Sequence, residues 1–362
     1  MLSRLNQRIS GGLAFPALPI LIIGFGIYIR IVQYLHNRAL WADEAALTLN
    51  ILNRSYLELF LPLDNEQGAP IGFLLVERLM VQLLGSSEFA LRLFPLICGI
   101  GSLFLLYILA KRLLLPSAVP IVLWLAASSD RLIYYSSEVK QYSTDVTIAL
   151  ALTLFLLSIR EQLYRPRAVA LTAAVGSMAI WWSHPAIFVL AGVELAFILT
   201  DLLQRKKLYV LGKLPIYGAW LLSFVAFYLF SLQRLSNNDV LLTSWTGRGL
   251  PPSPLDLGWS IRALSEYFYN PVGFVGAFKA IAILAALMGC ISWFRRKPET
   301  LLLMVLPIAV TLFASYLDKY PFNGRLILFL YPFAAMAIAE GFEFMRLGLK
   351  PKLFAPLAIA MA

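Results

Sequence analysis

Long apolar runs follow one another along this chain and leave few folds open to it. Each run is long enough to cross a bilayer as a helix, which takes about 17–25 residues, and only 14% of the 362 residues are charged. The sequence therefore predicts an all-α polytopic membrane protein with about ten to eleven transmembrane helices. The predicted spans are residues 13–35, 89–110, 117–133, 143–159, 168–183, 185–203, 214–232, 272–294, 300–317 and 325–345. A last apolar piece, 353–362, is too short to span, so we expect the natural chain to continue past it or this end to lie in the interface.

The basic residues predict the orientation of these spans. If the N-terminus is cytoplasmic, more than half of the 30 Lys and Arg residues fall in short clusters on the cytoplasmic side, as the positive-inside rule requires. The net charge of +10 is then mostly a topology signal and indicates no nucleic-acid partner. The clusters are Arg4 and Arg8; Lys111 and Arg112; Arg160, Arg165 and Arg167; Arg205, Lys206, Lys207 and Lys213; Arg295, Arg296 and Lys297; and Arg346, Lys350 and Lys352.

Most acidic residues fall on the opposite, extracytoplasmic side, where two long loops are predicted. Residues 36–88 carry two amphipathic helical patterns, 45–60 and 71–84, which are typical of helices on a membrane surface. Residues 233–271 are rich in Gly and Pro and predict an irregular loop with one short helix near 255–269, serving as a lid or an acceptor-binding element. We expect no separable soluble domain, so residues 1–362 form one transmembrane domain.

Two adjacent carboxylates, Asp43 and Glu44, follow the first apolar run and are the predicted catalytic groups. They suit transfer of a sugar from a polyprenyl phosphate. A phosphate leaving group is already stable as an anion, so one carboxylate base is enough to activate the acceptor. Asp43 is the predicted base, helped or positioned by Glu44. Adjacent acids are also common at helix starts, where the helix dipole favours them, so the pair alone does not decide the function.

Cations must balance the phosphate charge in such a reaction, and Arg131, Lys140 and Arg325 are the predicted partners. Arg131 and Lys140 belong to a dense polar and aromatic run, 128–142, whose polar groups must face a cavity or the protein interior at that depth. An aromatic belt with simple interface anchors is the alternative interpretation. The other candidate substrate-binding residues are Glu66, Tyr135, Glu138, Tyr142, His184 and Lys319. A lone histidine such as His184 is more often structural than functional.

Three further interpretations concern pairing and cofactors. Glu88 and Arg92 stand four residues apart on one helix and are predicted to pair. The two cysteines, Cys98 and Cys290, fall inside apolar spans, so no disulfide is expected. No cofactor or metal site is predicted, although a divalent cation could be shared by Asp43, Glu44 and Glu66.

Five motifs occur in order along the chain, and together they carry a resemblance to a known family. They are Trp41–Glu44 (WADE), Gly68–Leu75 (GAPIGFLL), Gly85–Leu93 (GSSEFALRL), Tyr134–Tyr142 (YYSSEVKQY) and Gly324–Pro332 (GRLILFLYP). The arrangement resembles the membrane-embedded GT-C glycosyltransferases, in the branch of the protein O-mannosyltransferases, the lipid A aminoarabinose transferases and the RgtA/B/C/D-like bacterial enzymes. The resemblance covers nearly the whole chain, most firmly residues 36–200.

This resemblance implies an inverting sugar transfer from a polyprenyl-phosphate donor to a glycan, lipid or protein acceptor, with Asp43 as the catalytic carboxylate. It also implies a bacterial cytoplasmic membrane with the site on the extracytoplasmic face. Residues 67–69 read Gln-Gly-Ala, where the family often has His-Pro or Lys-Pro, so the acceptor or a metal contact could differ. We expect no counterpart of the large C-terminal domain of some members.

Two rival functions remain open from the sequence. A transporter or flippase for a lipid-linked saccharide would carry charged residues near the bilayer midplane and broken helices in two matching halves. The charges of this chain fall mainly at predicted span ends, and its two halves do not resemble each other. An inactive assembly subunit would be favoured if Asp43 and Arg325 pointed into separate regions.

Overall fold

The computed structural model describes residues 17–205, 210–232, 245–253 and 256–348. Every element within these ranges is helical, apart from one isolated bridge between Thr246 and Leu250. The all-α prediction is therefore confirmed. The helices are α1 (Leu18–Leu35), α2 (Ala42–Asn53), α3 (Ile71–Leu84), α4 (Glu88–Leu113), α5 (Val119–Ser128), α6 (Asp130–Tyr135), α7 (Tyr142–Ile159), α8 (Pro166–Trp182), α9 (Ala186–Leu203), α10 (Val210–Phe227), α11 (Leu257–Tyr269), α12 (Gly276–Arg296), α13 (Pro298–Tyr316) and α14 (Tyr331–Gly348).

Each of the ten predicted spans coincides with helical structure. Within the described ranges, eight helical segments are long and apolar enough to cross a membrane, so the predicted number of ten to eleven is not confirmed. The third predicted span is divided between α5 and α6, because Ser129 interrupts the helix and its Oγ accepts a hydrogen bond from the Leu132 amide. The last span begins as a 3-10 helix, Gly324–Leu330, that leads into α14.

Several sequence predictions fall outside the described residues. These are the basic residues Arg4, Arg8, Lys206, Lys207, Lys350 and Lys352, the apolar piece 353–362, and parts 233–244 and 254–255 of the second long loop.

The first long loop contains the two predicted helices with shifted limits. The first pattern forms α2, followed by a short 3-10 turn at Glu58–Phe60, and the second forms α3. Gly85 ends α3 with a φ of 86°, a conformation that a residue without a Cβ adopts without strain. Ser87 then caps α4 by accepting a hydrogen bond from the Ala90 amide. These elements cover one end of the helix bundle, which we call the loop face.

The centre of the bundle is α14, which is buried along almost its whole length. It crosses α12 where Gly341 faces Ala285 and Gly289 faces Ala337 so closely that a Cβ at either glycine would overlap with backbone. Small residues of this kind let helices approach in a membrane, where dispersion contacts replace the hydrophobic effect. The outer helices α1 and α10, by contrast, expose many large apolar side chains, as lipid-facing helices do.

The predicted pair of Glu88 and Arg92 is wrong. Arg92 is 1% exposed and points across to α2, where its Nε and Nη2 donate to the carboxylate of Glu44 at 3.1–3.3 Å. The physical reason is burial: Glu44 has no exposed surface and needs a cation, whereas Glu88 keeps partial access to water at the start of α4.

The expectation that charges fall mainly at span ends also needs a correction. Glu194 lies in the middle of α9, where its carboxylate accepts hydrogen bonds from Lys213 Nζ at 2.8 Å and from the Tyr217 hydroxyl at 2.9 Å. Lys213, predicted to belong to a cytoplasmic cluster, is therefore buried between α9 and α10. Only a mutually paired acid and base tolerate such a position.

Candidate active site

Asp43 lies at the loop face between two cations that come from distant parts of the chain. Its Oδ1 is 3.1 Å from Lys140 Nζ, and its Oδ2 is 2.8 Å from Arg325 Nη2. Asp43 is the second residue of α2, Lys140 lies in the turn between α6 and α7, and Arg325 is the second residue of the 3-10 helix before α14. The Asp43 side chain keeps 21% of its surface exposed, so a substrate can reach it. Three of the predicted site residues therefore meet.

The electrostatics of this cluster hold Asp43 ionised. Burial alone would raise its pKa, but the charges of Lys140 and Arg325 and hydrogen bonds from Lys140 and Gln67 outweigh that effect and lower the pKa. Burial lowers the pKa of Lys140, although Asp43 opposes the change. Lys140 Nζ also donates to Gln67 Oε1 at 2.6 Å. Gln67, which the sequence marked only as a departure from the family pattern, is thus part of the site.

Glu44 points away from Asp43 into the protein. Besides the hydrogen bonds from Arg92, its carboxylate accepts hydrogen bonds from the Val139 amide at 2.9 Å and from the Trp41 amide at 3.4 Å. Arg38 approaches to 3.6 Å as a second cation. These contacts tie the start of α2 to α4 and to the turn that carries Lys140. The Glu44 carboxylate is fully buried and is separate from the ion pairs that Asp43 forms with Lys140 and Arg325.

Aromatic rings line the site beside Arg325. Its guanidinium carbon lies 5.4 Å from the centre of the Tyr142 ring and 5.2 Å from that of Trp41, within the range of cation–π attraction. Tyr135 packs edge-on against Tyr142 with ring centres 5.1 Å apart. Arg38 similarly lies over Tyr134 at 4.0 Å. Tyr135 and Tyr142 were predicted here, whereas Trp41 and Arg38 were not assigned a role.

Glu138 completes this wall of the site. Trp41 Nε1 donates a hydrogen bond to Glu138 Oε1 at 3.1 Å. Burial, with the nearby Glu44 charge, raises the pKa of Glu138 to about 7, although the Trp41 hydrogen bond and the charges of Arg325 and Arg38 act in the opposite direction. Glu138 therefore titrates near neutral pH.

The other predicted site residues do not contact Asp43. Glu66 and Lys319 are exposed to solvent, and Arg131 pairs with its neighbour Asp130 at 3.6 Å. His184 is half-buried against the Phe227 ring with its Nε2 enclosed, and this desolvation lowers its pKa to about 4, so it stays neutral. Its sequence position at an outer turn gave no sign of this burial.

Asp43, Glu44 and Glu66, which could have shared a divalent ion, do not form a common site in the structure. Asp43 and Glu44 each pair with cationic side chains, and Glu66 is exposed. In the part of the chain that the structure describes, no three His, Cys, Asp or Glu side chains come together in a way that could hold a metal ion.

This fold and site define a class of protein: a polytopic helical membrane protein with a cation-flanked carboxylate at one end of its bundle. Residues 68–233 match the model of a family described as dolichyl-phosphate-mannose-protein mannosyltransferase. The fold is similar to crystal structures of ArnT from Cupriavidus metallidurans, in the apo state (TM-score 0.61, 13% identity) and bound to undecaprenyl phosphate (TM-score 0.60, 12% identity). The family model matches less than half of this chain, and the likeness to ArnT shows that the two proteins share a fold.

The likeness to ArnT covers 94% of this chain and 62% of the ArnT chain, so this chain spans less than two thirds of the length of ArnT. No curated protein matches the sequence.

Proposed function

We propose that the protein transfers a sugar from a polyprenyl-phosphate donor to an acceptor hydroxyl or amine, with Asp43 as the base. The single observation that carries the proposal is the position of Asp43 between Lys140 and Arg325. Two cations beside one carboxylate match the needs of a phosphate leaving group, which requires charge balance and no general acid. The family match, and the undecaprenyl phosphate that the similar ArnT structure binds, support the same class of donor.

Donor binding would itself prepare Asp43 for its role. A phosphodiester is an anion, so it competes with the Asp43 carboxylate for Lys140 and Arg325. As the two cations turn to the phosphate, the pKa of Asp43 rises from its lowered value, because the charges that lower it are now shared. A carboxylate with a higher pKa is a stronger base. The free site holds Asp43 ionised, and the occupied site makes it reactive.

The transfer step is a displacement at the anomeric carbon of the sugar. The acceptor oxygen or nitrogen forms a bond to this carbon while the bond from the carbon to the phosphate oxygen breaks. Asp43 takes the proton of the acceptor, and polyprenyl phosphate leaves as an anion held by Arg325 and Lys140. Attack opposite the leaving group inverts the configuration at the anomeric carbon, and the acceptor is a glycan, a lipid or a protein.

The distribution of charge supports an extracytoplasmic site. Basic pairs such as Lys111–Arg112 and Arg295–Arg296 lie at the ends of α4 and α12 remote from the loop face. By the positive-inside rule we infer that these ends are cytoplasmic and that Asp43 lies on the opposite side of the cell membrane. A lipid-linked donor flipped to that leaflet would meet the site at the membrane surface.

A flippase for a lipid-linked saccharide is the second candidate, and the buried group of Glu194, Lys213 and Tyr217 is the observation in its favour. Ionisable groups inside membrane spans often mark a transport path. Here, however, the acid and the base pair with each other at 2.8 Å, and the cluster bridges α9 to α10. A flippase would lose transport when Glu194 is replaced by Gln and would show no sugar transfer with any donor.

The test uses the purified protein with a panel of radiolabelled polyprenyl-phosphate sugars and candidate acceptors. Asp43→Asn is expected to reduce turnover by about 10²–10⁴-fold, the usual contribution of a general base. Arg325→Ala is expected to weaken donor binding by roughly 10–100-fold, the usual worth of a charge-assisted hydrogen bond. Arg262→Ala, which changes a largely exposed arginine of α11, is the control. Unchanged turnover in Asp43→Asn would refute the proposal.

A further inference from the structure

Trp41 contacts two oppositely charged groups of the site at once. Its indole Nε1 donates to Glu138 Oε1 at 3.1 Å, and its ring centre lies 5.2 Å from the guanidinium carbon of Arg325. The side chain is 40% exposed, so it belongs to the open rim of the site and not to the packed core. Its backbone is fixed at the same time, because Trp41 is the N-cap residue directly before α2 and its amide donates to Glu44.

Glu138 and Arg325 carry opposite charges at the same site but form no ion pair with each other. The positive charge of Arg325 acts to lower the pKa of Glu138, against the larger effect of burial. Arg325 nevertheless forms its ion pair with Asp43 at 2.8 Å, while Glu138 accepts a hydrogen bond from a neutral indole. The second carboxylate oxygen of Glu138, Oε2, is buried without a hydrogen-bond partner in this part of the structure.

A buried carboxylate with an unused oxygen gains free energy by pairing with a nearby guanidinium, since charge-assisted hydrogen bonds are about twice as strong as neutral ones. Such a pair would draw Arg325 away from Asp43 and from the phosphate that replaces it in the occupied site. Trp41 opposes this exchange in two ways. Its indole N–H donates a hydrogen bond to one oxygen of Glu138, and its ring attracts the Arg325 guanidinium to the position that Arg325 occupies in the structure.

We infer that Trp41 is a positioning residue that occupies Glu138 with a neutral donor and thereby keeps Arg325 available for Asp43 and for the donor phosphate. The inference rests on the proposed function, because it assigns Arg325 to that phosphate. It predicts that the effect of Trp41 on donor binding depends on the charge of one other residue, Glu138. A merely structural role in starting α2 would show no such dependence.

The experiment measures the Kd of undecaprenyl phosphate for four full-length proteins: wild type, Trp41→Phe, Glu138→Gln and the double variant. Phe keeps an aromatic ring and removes the N–H. At pH 8.5, where Glu138 is ionised, Trp41→Phe is expected to raise the Kd about tenfold. In the Glu138→Gln background the same change is expected to raise it less than about twofold, because a neutral amide does not compete for Arg325.

A second readout uses pH. At pH 5.5 Glu138 is protonated, so the effect of Trp41→Phe is expected to shrink in the same way as in the Glu138→Gln background. The charged groups that face Glu138 are Arg38, Glu44, Lys140 and Arg325. Trp41→Phe is compared with wild type at each pH separately, because the undecaprenyl phosphate monoester itself changes charge between these pH values. The matched control is Trp181→Phe, which removes an indole N–H bonded to Ser223 between α8 and α10 and is expected to leave the Kd unchanged.

The outcomes separate the inference from the function on which it rests. Failure of the wild-type protein to bind undecaprenyl phosphate would overturn the proposed donor and the inference together. Wild-type binding with an equal Kd in Trp41→Phe would overturn the inference alone. An equal loss of affinity with and without Glu138→Gln would do the same, since it would show a structural effect of Trp41. If Trp41→Phe folds poorly, the comparison of the double variant with Glu138→Gln still applies: a large further loss there contradicts the inference.

Discussion

Replacing Glu44 by Gln should destabilise the protein strongly, although it removes none of the side chains that contact Asp43. Glu44 has no exposed surface and accepts hydrogen bonds from Arg92 through both carboxylate oxygens. Gln has nearly the same shape but no charge. The buried Arg92 guanidinium, only 1% exposed, would then lack its counter-ion. Breaking a buried pair from one side typically lowers the free energy of unfolding by about 3–5 kcal/mol.

The measurement is thermal unfolding of the purified protein in detergent, followed by intrinsic tryptophan fluorescence. A loss of 3–5 kcal/mol corresponds to a fall in the unfolding midpoint of roughly 4–7 °C for a chain of 362 residues. The matched control is Glu88→Gln, which alters the acid that sequence spacing assigned to Arg92. Glu88 does not contact Arg92 in the structure, so this variant should change the free energy of unfolding by less than about 0.5 kcal/mol.

Two results would refute this reasoning. A Glu44→Gln protein as stable as wild type would show that the carboxylate does not brace α2 against α4. A larger loss of unfolding free energy in Glu88→Gln than in Glu44→Gln would indicate that Arg92 pairs with Glu88 and not with Glu44.

Three more predictions concern pH and packing. Donor binding should weaken as pH rises through about 7, because an ionised Glu138 repels the phosphate; Kd values of a polyprenyl-phosphate sugar, a phosphodiester that keeps one negative charge, should differ between pH 5.5 and 8.5 in wild type and agree in Glu138→Gln. Burial of Glu77 without a hydrogen-bond partner raises its pKa above the usual 4.5, so its contribution to stability is complete below pH 4.5 and is lost as pH rises toward the raised value. Glu77→Gln should therefore gain stability over wild type at pH 8 but not at pH 4.5, as thermal unfolding will show. Gly341→Leu should abolish the crossing of α12 and α14 and yield little folded protein by size-exclusion chromatography, whereas Gly101→Leu, at an open position of α4, should not.

The apolar runs were enough to predict where the helices lie. Length and hydropathy depend only on local sequence, so all ten predicted spans correspond to helical structure. The sequence did not predict where a helix is interrupted, as at Ser129 between α5 and α6, because such a break depends on a single capping hydrogen bond. The number of helices that cross the membrane could not be fixed in the same way, because α5 and α8 are too short for length alone to decide.

The meeting of Asp43, Lys140 and Arg325 was predictable because alternating spans put the turns that carry them at one end of the bundle. Their charges also made them candidates, because the proposed reaction needs a carboxylate base and cations beside a phosphate. Gln67 was harder to find, since it is neutral and its role depends on a side chain that arrives from 73 residues away. Trp41 was visible in a motif, but only the structure shows that its N–H reaches Glu138.

The long-range pair of Glu44 and Arg92 shows the limit of spacing rules. A glutamate four residues away offers a weak surface interaction, worth a few tenths of a kcal/mol. A fully buried carboxylate 48 residues away offers a much stronger one. Sequence alone does not tell which acid is buried, and so it favoured the wrong partner.

The most direct test of the account is a structure of the protein bound to undecaprenyl phosphate, determined by electron cryo-microscopy in lipid nanodiscs. The account predicts the phosphate at the loop face, within about 3–4 Å of Arg325 Nη2 and Lys140 Nζ, with the Asp43 carboxylate displaced from at least one of these cations. A phosphate bound elsewhere, with both ion pairs of Asp43 intact, would contradict the account.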